Sequence, residues 1–111
     1  MLIHETPIEK ALRELSEREK TCEILVSESA QAEHDYKIKF AQEILKAEGT
    51  EAVKKAHATI NSATEFLNYL KKDAEYKFAR EKLNDIRTAV SARQSILSAQ
   101  TIADKMHAQL S

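Results

Sequence analysis

Apolar or small residues recur from position 8 onward in steps that are mostly four and three. Ile8, Leu12, Leu15, Cys22, Val26, Ser29, Tyr36, Phe40, Ile44 and Ala47 fall on one stripe. Such spacing keeps one face of a helix turned to a neighbour and reads as a near-heptad seam. Glu19 and Glu33 interrupt it, so the seam is not a pure leucine zipper. The start of this helix is marked as well. Thr6 can serve as the N-cap, Pro7 suits the first helical position, and Glu9 completes a capping box. The pattern predicts a first helix over about residues 7–48.

Glu48-Gly49-Thr50-Glu51 is the one strong break. Gly49 stands where a helix end wants a left-handed residue, and Thr50 can cap the next helix. A turn this short sends the second helix back along the first. That second helix is predicted over about residues 51–109, since neither Gly nor Pro occurs after Gly49.

The second helix carries two stripes. Val53, Ala56, Ile60, Ala63, Leu67, Leu70 and Ala74 form a strict heptad, and Tyr76, Ala79, Leu83, Ile86, Val90 and Leu97 form another. They differ in phase by two residues, roughly 200° around the helix. A kink near Lys71-Lys72-Asp73, or a change of packing partner, is therefore expected. Folding about Gly49 exhausts the first helix opposite residue 92. Ile96, Ala99, Ile102, Ala103, Met106 and Leu110 then form an apolar stripe without a counterpart. A stripe of this kind marks an interface. It either folds back as a short third helix, breaking around Ser91–Ser95, or meets a second copy of the chain; self-association is the favoured reading. The expected fold is all-α, a long antiparallel, coiled-coil-like helical hairpin forming a single domain over 1–111.

Composition agrees with this picture. Among 111 residues there are one Gly, one Pro and no Trp, with 32% charged and 5% aromatic residues. Sheet folds need turn residues every few positions, and so few bulky side chains suit a thin seam better than a thick core. Net charge is −1, which argues against a general attraction to nucleic acid or an anionic membrane. The charge is unevenly spread. Residues 1–35 carry nine acids against four bases, and residues 71–93 carry seven bases (Lys71, Lys72, Lys77, Arg80, Lys82, Arg87, Arg93) against four acids. The hairpin sets the second tract alongside residues 5–27, so mutual pairing is preferred to a binding surface. Nucleic-acid binding through Lys71, Lys72, Lys77, Arg80, Arg87 and Arg93 is the alternative function. No run nears the roughly 18 apolar residues of a membrane span, and the first seven residues lack the pattern of a secretory signal. One cysteine cannot form an internal disulfide, and a cytoplasmic location is expected.

No active site is expected. His4, His34, His57 and His107 are scattered, and Asp104 with His107 supplies only two ligands, fewer than a metal site needs. Cys22 sits on the seam, where a small hydrophobe is the default. The aromatics could stack on bases, but Tyr36 and Phe40 lie on the seam and Phe66-Leu67 with Tyr69-Leu70 makes an apolar patch. Core packing is the stronger reading. No cofactor motif is present.

Two tracts carry a family likeness. Ala32-Glu33-His34-Asp35-Tyr36-Lys37 leads through Ala41 to Leu45-Lys46-Ala47-Glu48-Gly49-Thr50. Ala74-Glu75-Tyr76-Lys77-Phe78-Ala79-Arg80 is followed by Leu83, Ile86 and Ser91-Ala92-Arg93-Gln94-Ser95-Ile96-Leu97. The pattern, over roughly residues 30–100, resembles small helical proteins encoded by bacteriophages and prophages. That resemblance implies a phage-encoded accessory protein in the bacterial host cytoplasm, with a host or phage protein partner and no assigned site residues. The length, the central turn and the Tyr69/Asp73 spacing also look similar to the helical hairpins of type VII secretion. Against that second likeness, the chain lacks Trp, its turn reads Glu-Gly-Thr, and its Tyr–Asp element lies mid-helix. The expected function is non-enzymatic, acting by self-association and protein–protein contact.

Overall fold

The computed structural model describes residues 5–110. It is all-α, an antiparallel helical hairpin of three helices: α1 (Pro7–Lys46), α2 (Glu51–Asn61) and α3 (Ala63–Leu110). The signals at the helix ends are realised as hydrogen bonds. Thr6 N donates to Glu9 Oε2 at 3.1 Å, and Glu9 N donates to Thr6 Oγ1 at 3.1 Å. This reciprocal box satisfies donors that the first turn leaves open. Gly49 takes φ 116°, a left-handed conformation that side chains disfavour. Thr50 then caps α2, accepting from Val53 N at 3.3 Å.

The first helix ends at Lys46, slightly short of the expected 48. The return helix is broken elsewhere than expected. It passes through Lys71–Asp73 and Ser91–Ser95 as one helix, and its break falls at Ser62. There the backbone N–H and the hydroxyl of one residue converge on one carbonyl: Ser62 N donates to Ala58 O at 2.9 Å and Ser62 Oγ at 2.6 Å. Such back-bonding bends helices. Ser62 adopts φ −106°, ψ 10°. The short extra helix therefore follows the turn, and the tail carries none.

The chain divides into two compact units, Thr21–Ala79 and a second that joins α1 through Lys20 to α3 from Arg80. Within Thr21–Ala79, α1 packs against α2 and the start of α3 over Ser29, Ala32, Ala58 and Ser62, all buried. Such small side chains let two helix backbones approach closely. Tyr36 closes this contact, with its ring 5.0 Å from Phe66, 6.1 Å from Phe40 and 6.4 Å from Tyr69. Tyr36, Phe40, Phe66 and Tyr69 are thus packed against one another, whereas Phe78 is 63% exposed. Within the second unit, Leu83 and Val90 of α3 are the buried apolar side chains.

These residues define the inner face of the return helices. Ala58, Ser62, Glu65, Tyr69, Lys72, Tyr76, Ala79, Leu83, Ile86 and Val90 are buried or half-buried, in unbroken steps of four and three. The later stripe read from sequence belongs to this seam. The earlier one does not: Val53 is 49% exposed, Ile60 73%, Leu67 64% and Leu70 45%. The phase conflict is resolved by turning the Val53–Ala74 stripe outward, with α3 continuous through Lys71–Asp73. A similar small correction applies to α1, where Leu12 and Val26 are exposed and Ala11, Leu25 and Ala32 face inward.

Candidate interaction surfaces

The acidic and basic tracts meet as the hairpin requires. Within Thr21–Ala79, Lys72 Nζ lies 3.1 Å from Glu28 Oε2, and Ser29 Oγ donates to Asp73 Oδ1 at 3.5 Å. In the other unit, Arg87 Nη2 lies 3.3 Å from Glu19 Oε1. Lys77 turns to Asp73 at 2.7 Å on its own helix. The hydrogen bond from Lys72 to Glu28 raises the lysine's pKa, and the charge of Glu28 adds to it. Of the six bases proposed for nucleic acid, Lys72, Lys77 and Arg87 are thus paired with carboxylates, and all but Lys72 are exposed.

Near the turn, Glu43 collects several donors. Lys39 approaches to 3.1 Å and Lys46 to 3.7 Å, and Asn61 Nδ2 donates at 3.0 Å from the return strand of the hairpin. Hydrogen bonds from Lys39 and then Asn61 hold the Glu43 carboxyl below its ordinary pKa. The hydrogen bond from Lys37 does the same for Glu33, whose charge in turn raises the Tyr69 phenol. Glu65 is different. Its Oε2 is buried on the seam with no hydrogen-bond partner, an arrangement that costs stability.

Among the described residues, no group of three or more His, Cys, Asp or Glu side chains is placed to hold a metal ion. His57 Nδ1 lies 3.3 Å from Asn61 Nδ2, and His34 borders a shallow surface depression with Ala30, Glu33 and Lys37. His107 and Asp104 are exposed, and His4 falls outside the described residues. Cys22 is a free, half-buried thiol. Among the described residues, no helix is long and apolar enough to cross a membrane.

Among the described residues, the return helices expose two apolar stripes. All residues from Ser91 to Leu110 are exposed. On this segment Ile96 is 58% exposed, Ile102 60%, Met106 58% and Leu110 87%. Ile96, Ala99, Ala103, Met106 and Leu110 keep a strict heptad spacing, with Ile102 alongside. Ile96 and Leu97 also wall an apolar cleft of about 330 Å³ with Thr6, Pro7, Ile8 and Arg93. The second surface is the outward stripe from Val53 to Ala74. Sequence reasoning left open a kink or a change of packing partner between the two stripes and did not mark this one as a surface. The signal that marks it is the phase conflict itself, because one continuous helix face cannot serve both stripes. No protein-family model, no curated protein and no solved structure matches the chain.

Proposed function

We propose that the chain is a non-enzymatic interaction protein that self-associates through Ile96, Ala99, Ile102, Ala103, Met106 and Leu110 and offers polar helix faces to a protein partner. The observation that carries this reading is the exposed heptad stripe over 96–110. Exposed apolar rows of this length are characteristic of helices that meet other helices. The scattered histidines and the isolated thiol support a role in contact instead of catalysis. A phage-encoded origin in a bacterial cytoplasm rests on the two alanine–glutamate–tyrosine tracts alone, and the proposed mode of action does not depend on it.

Replacing Ile102 and Met106 with Asp places two charges in the stripe. The mass in solution, measured by light scattering after gel filtration, should fall, while helicity by circular dichroism is retained. An unchanged mass would remove the tail stripe from the account.

A further inference from the structure

We infer that the reversal at Gly49 is a point of exchange: the hairpin opens there into one continuous helix, and two opened chains rebuild the same seam by trading α2 and α3. The phase of the inner face on the two sides of the turn points to this. On α1 that face passes through Ser29, Ala32, Tyr36, Phe40, Glu43 and Ala47. On the return helices it passes through Lys54, Ala58, Ser62, Glu65, Tyr69 and Lys72. All are buried or half-buried, in steps of three and four. The gap from Ala47 to Lys54 is seven residues, within about 20° of two full helical turns. The two faces therefore lie on one side of a single helix when the chain runs straight through the turn. A gap of five residues would set them roughly 140° apart, and an open helix could not then present both to one partner. A hairpin by itself does not require this match, because each of its helices turns its own face inward.

The contacts across the seam fix the arrangement. Within Thr21–Ala79, Glu28 meets Lys72, Tyr36 meets Phe66 and Glu43 meets Asn61. Along the chain, the midpoint of each pair falls between residues 50 and 52. Two straight helices laid antiparallel about a two-fold axis beside Glu51 bring Phe66 opposite Tyr36 of the second copy, and Asn61 close to its Glu43. Each contact is one that the hairpin already makes, and the symmetry forms it twice. The surface being covered is the seam, whose partner the structure shows. Neither the outward Val53–Ala74 stripe nor the tail stripe enters, so the inference does not rest on tail association.

Gly49 holds the balance between the two forms. In the hairpin it takes φ 116°, and a Cβ added there would lie 3.4 Å from Val53 Cγ1. Its neighbours Ala47, Glu48, Thr50 and Glu51 include no proline and are compatible with a helix, whereas glycine is the poorest helix former after proline. One residue thus favours the reversal and disfavours the open form. Thr50 acts with it, since its hydroxyl accepts from Val53 N where α2 begins anew. Exchange of this kind is a low-cost route to dimers where a short hinge joins two packed elements.

The test uses the full chain with Cys22→Ser, Ser29→Cys and Asp73→Cys. Ser29 Oγ lies 3.5 Å from Asp73 Oδ1, and both side chains are short, so the two thiols meet across the seam. In the hairpin the disulfide closes within one chain; in the exchanged pair it joins two. With Gly49 in place, mild oxidation at low concentration should give bridges within single chains. Adding Gly49→Ala penalises the reversal and favours the open helix in both chains, so the pairing constant should rise roughly a thousandfold. At high dilution this substitution only weakens the hairpin; as concentration rises the product should become a covalent dimer with helicity retained. Bridges that stay within one chain at every concentration would overturn the proposal. Loss of helicity in Gly49→Ala would overturn it too, since the open form is helical through the turn. A dimer held by the tail stripe keeps its bridges within each chain, so failure of one interface is seen separately from failure of the other. Inserting three glycines after Gly49 should keep every bridge within its chain. Bridges between chains in that variant would show that pairing owes nothing to the tight reversal, and they would refute the exchange.

Discussion

Leu83 and Leu67 look equivalent in the sequence, each a leucine in a strict heptad stripe, yet the structure gives them opposite roles. Leu83 is 5% exposed and Leu67 is 64% exposed. Replacing leucine with alanine removes three carbons, worth about 2.4 kcal/mol when fully buried at about 0.8 kcal/mol each. Leu83→Ala forfeits nearly all of this and leaves a void, for a total of about 3 kcal/mol. Leu67→Ala has only about a third of its side chain covered and forfeits about 0.9 kcal/mol. A domain of this size has a stability of roughly 5–15 kcal/mol, so Leu83→Ala is a severe lesion. Its Tm should fall by more than 10 °C, at about 4 °C or more per kcal/mol. Thermal and urea unfolding followed by circular dichroism at low protein concentration provide the comparison. Equal damage from the two substitutions at low concentration would refute the assignment of the inner face.

Glu65→Met removes the buried carboxylate oxygen that lacks a partner and should raise stability by about 1–2 kcal/mol. A higher urea midpoint at unchanged slope is the expected result, and a lower midpoint would contradict it. Gly49→Ala forces a side chain into φ 116° and should cost about 1–2 kcal/mol, read as a lower Tm. Glu43 has a depressed pKa, so its contribution is present above the unfolded carboxylate pKa of about 4.3. That contribution is lost as pH falls through the lower folded value. Thermal melts across acid pH should therefore show the wild type losing more stability than Glu43→Gln as pH falls below the ordinary carboxylate range; parallel curves would contradict this.

The sequence disclosed most where structure is made locally. Thr6, Pro7 and Glu9 define a helix start within one turn, and Gly49 with Thr50 defines the reversal, so both are legible without knowledge of any partner. The seam is harder to read because its residues are small or polar. Ser29, Ala32, Ala58 and Ser62 are buried, and hydrophobicity does not announce such small side chains. In α1 the same effect shifts the inner face from Leu12 and Val26 toward Ala11, Leu25 and Ala32. The break at Ser62 was invisible because it arises from a hydroxyl bonding back to Ala58 O, and serine at this position reads as an ordinary helix residue. The expectation of a kink at Lys71–Asp73 or a change of packing partner followed from the phase difference between the stripes, and the structure instead keeps α3 continuous and sets the two stripes on different faces. Of the candidate surfaces, the exposure of the tail stripe could be read directly, since the mirror image of α1 runs out near residue 92 and residues 91–110 are all exposed. The Val53–Ala74 surface could be recognised only once the inner face was known.

Sedimentation of the intact chain over a wide concentration range tests the central claim most directly, namely that its exposed apolar rows exist to meet other helices. The account predicts a mass above 12.6 kDa that decreases on replacing Ile102 and Met106 with Asp. A wild-type mass of 12.6 kDa at every concentration would contradict it.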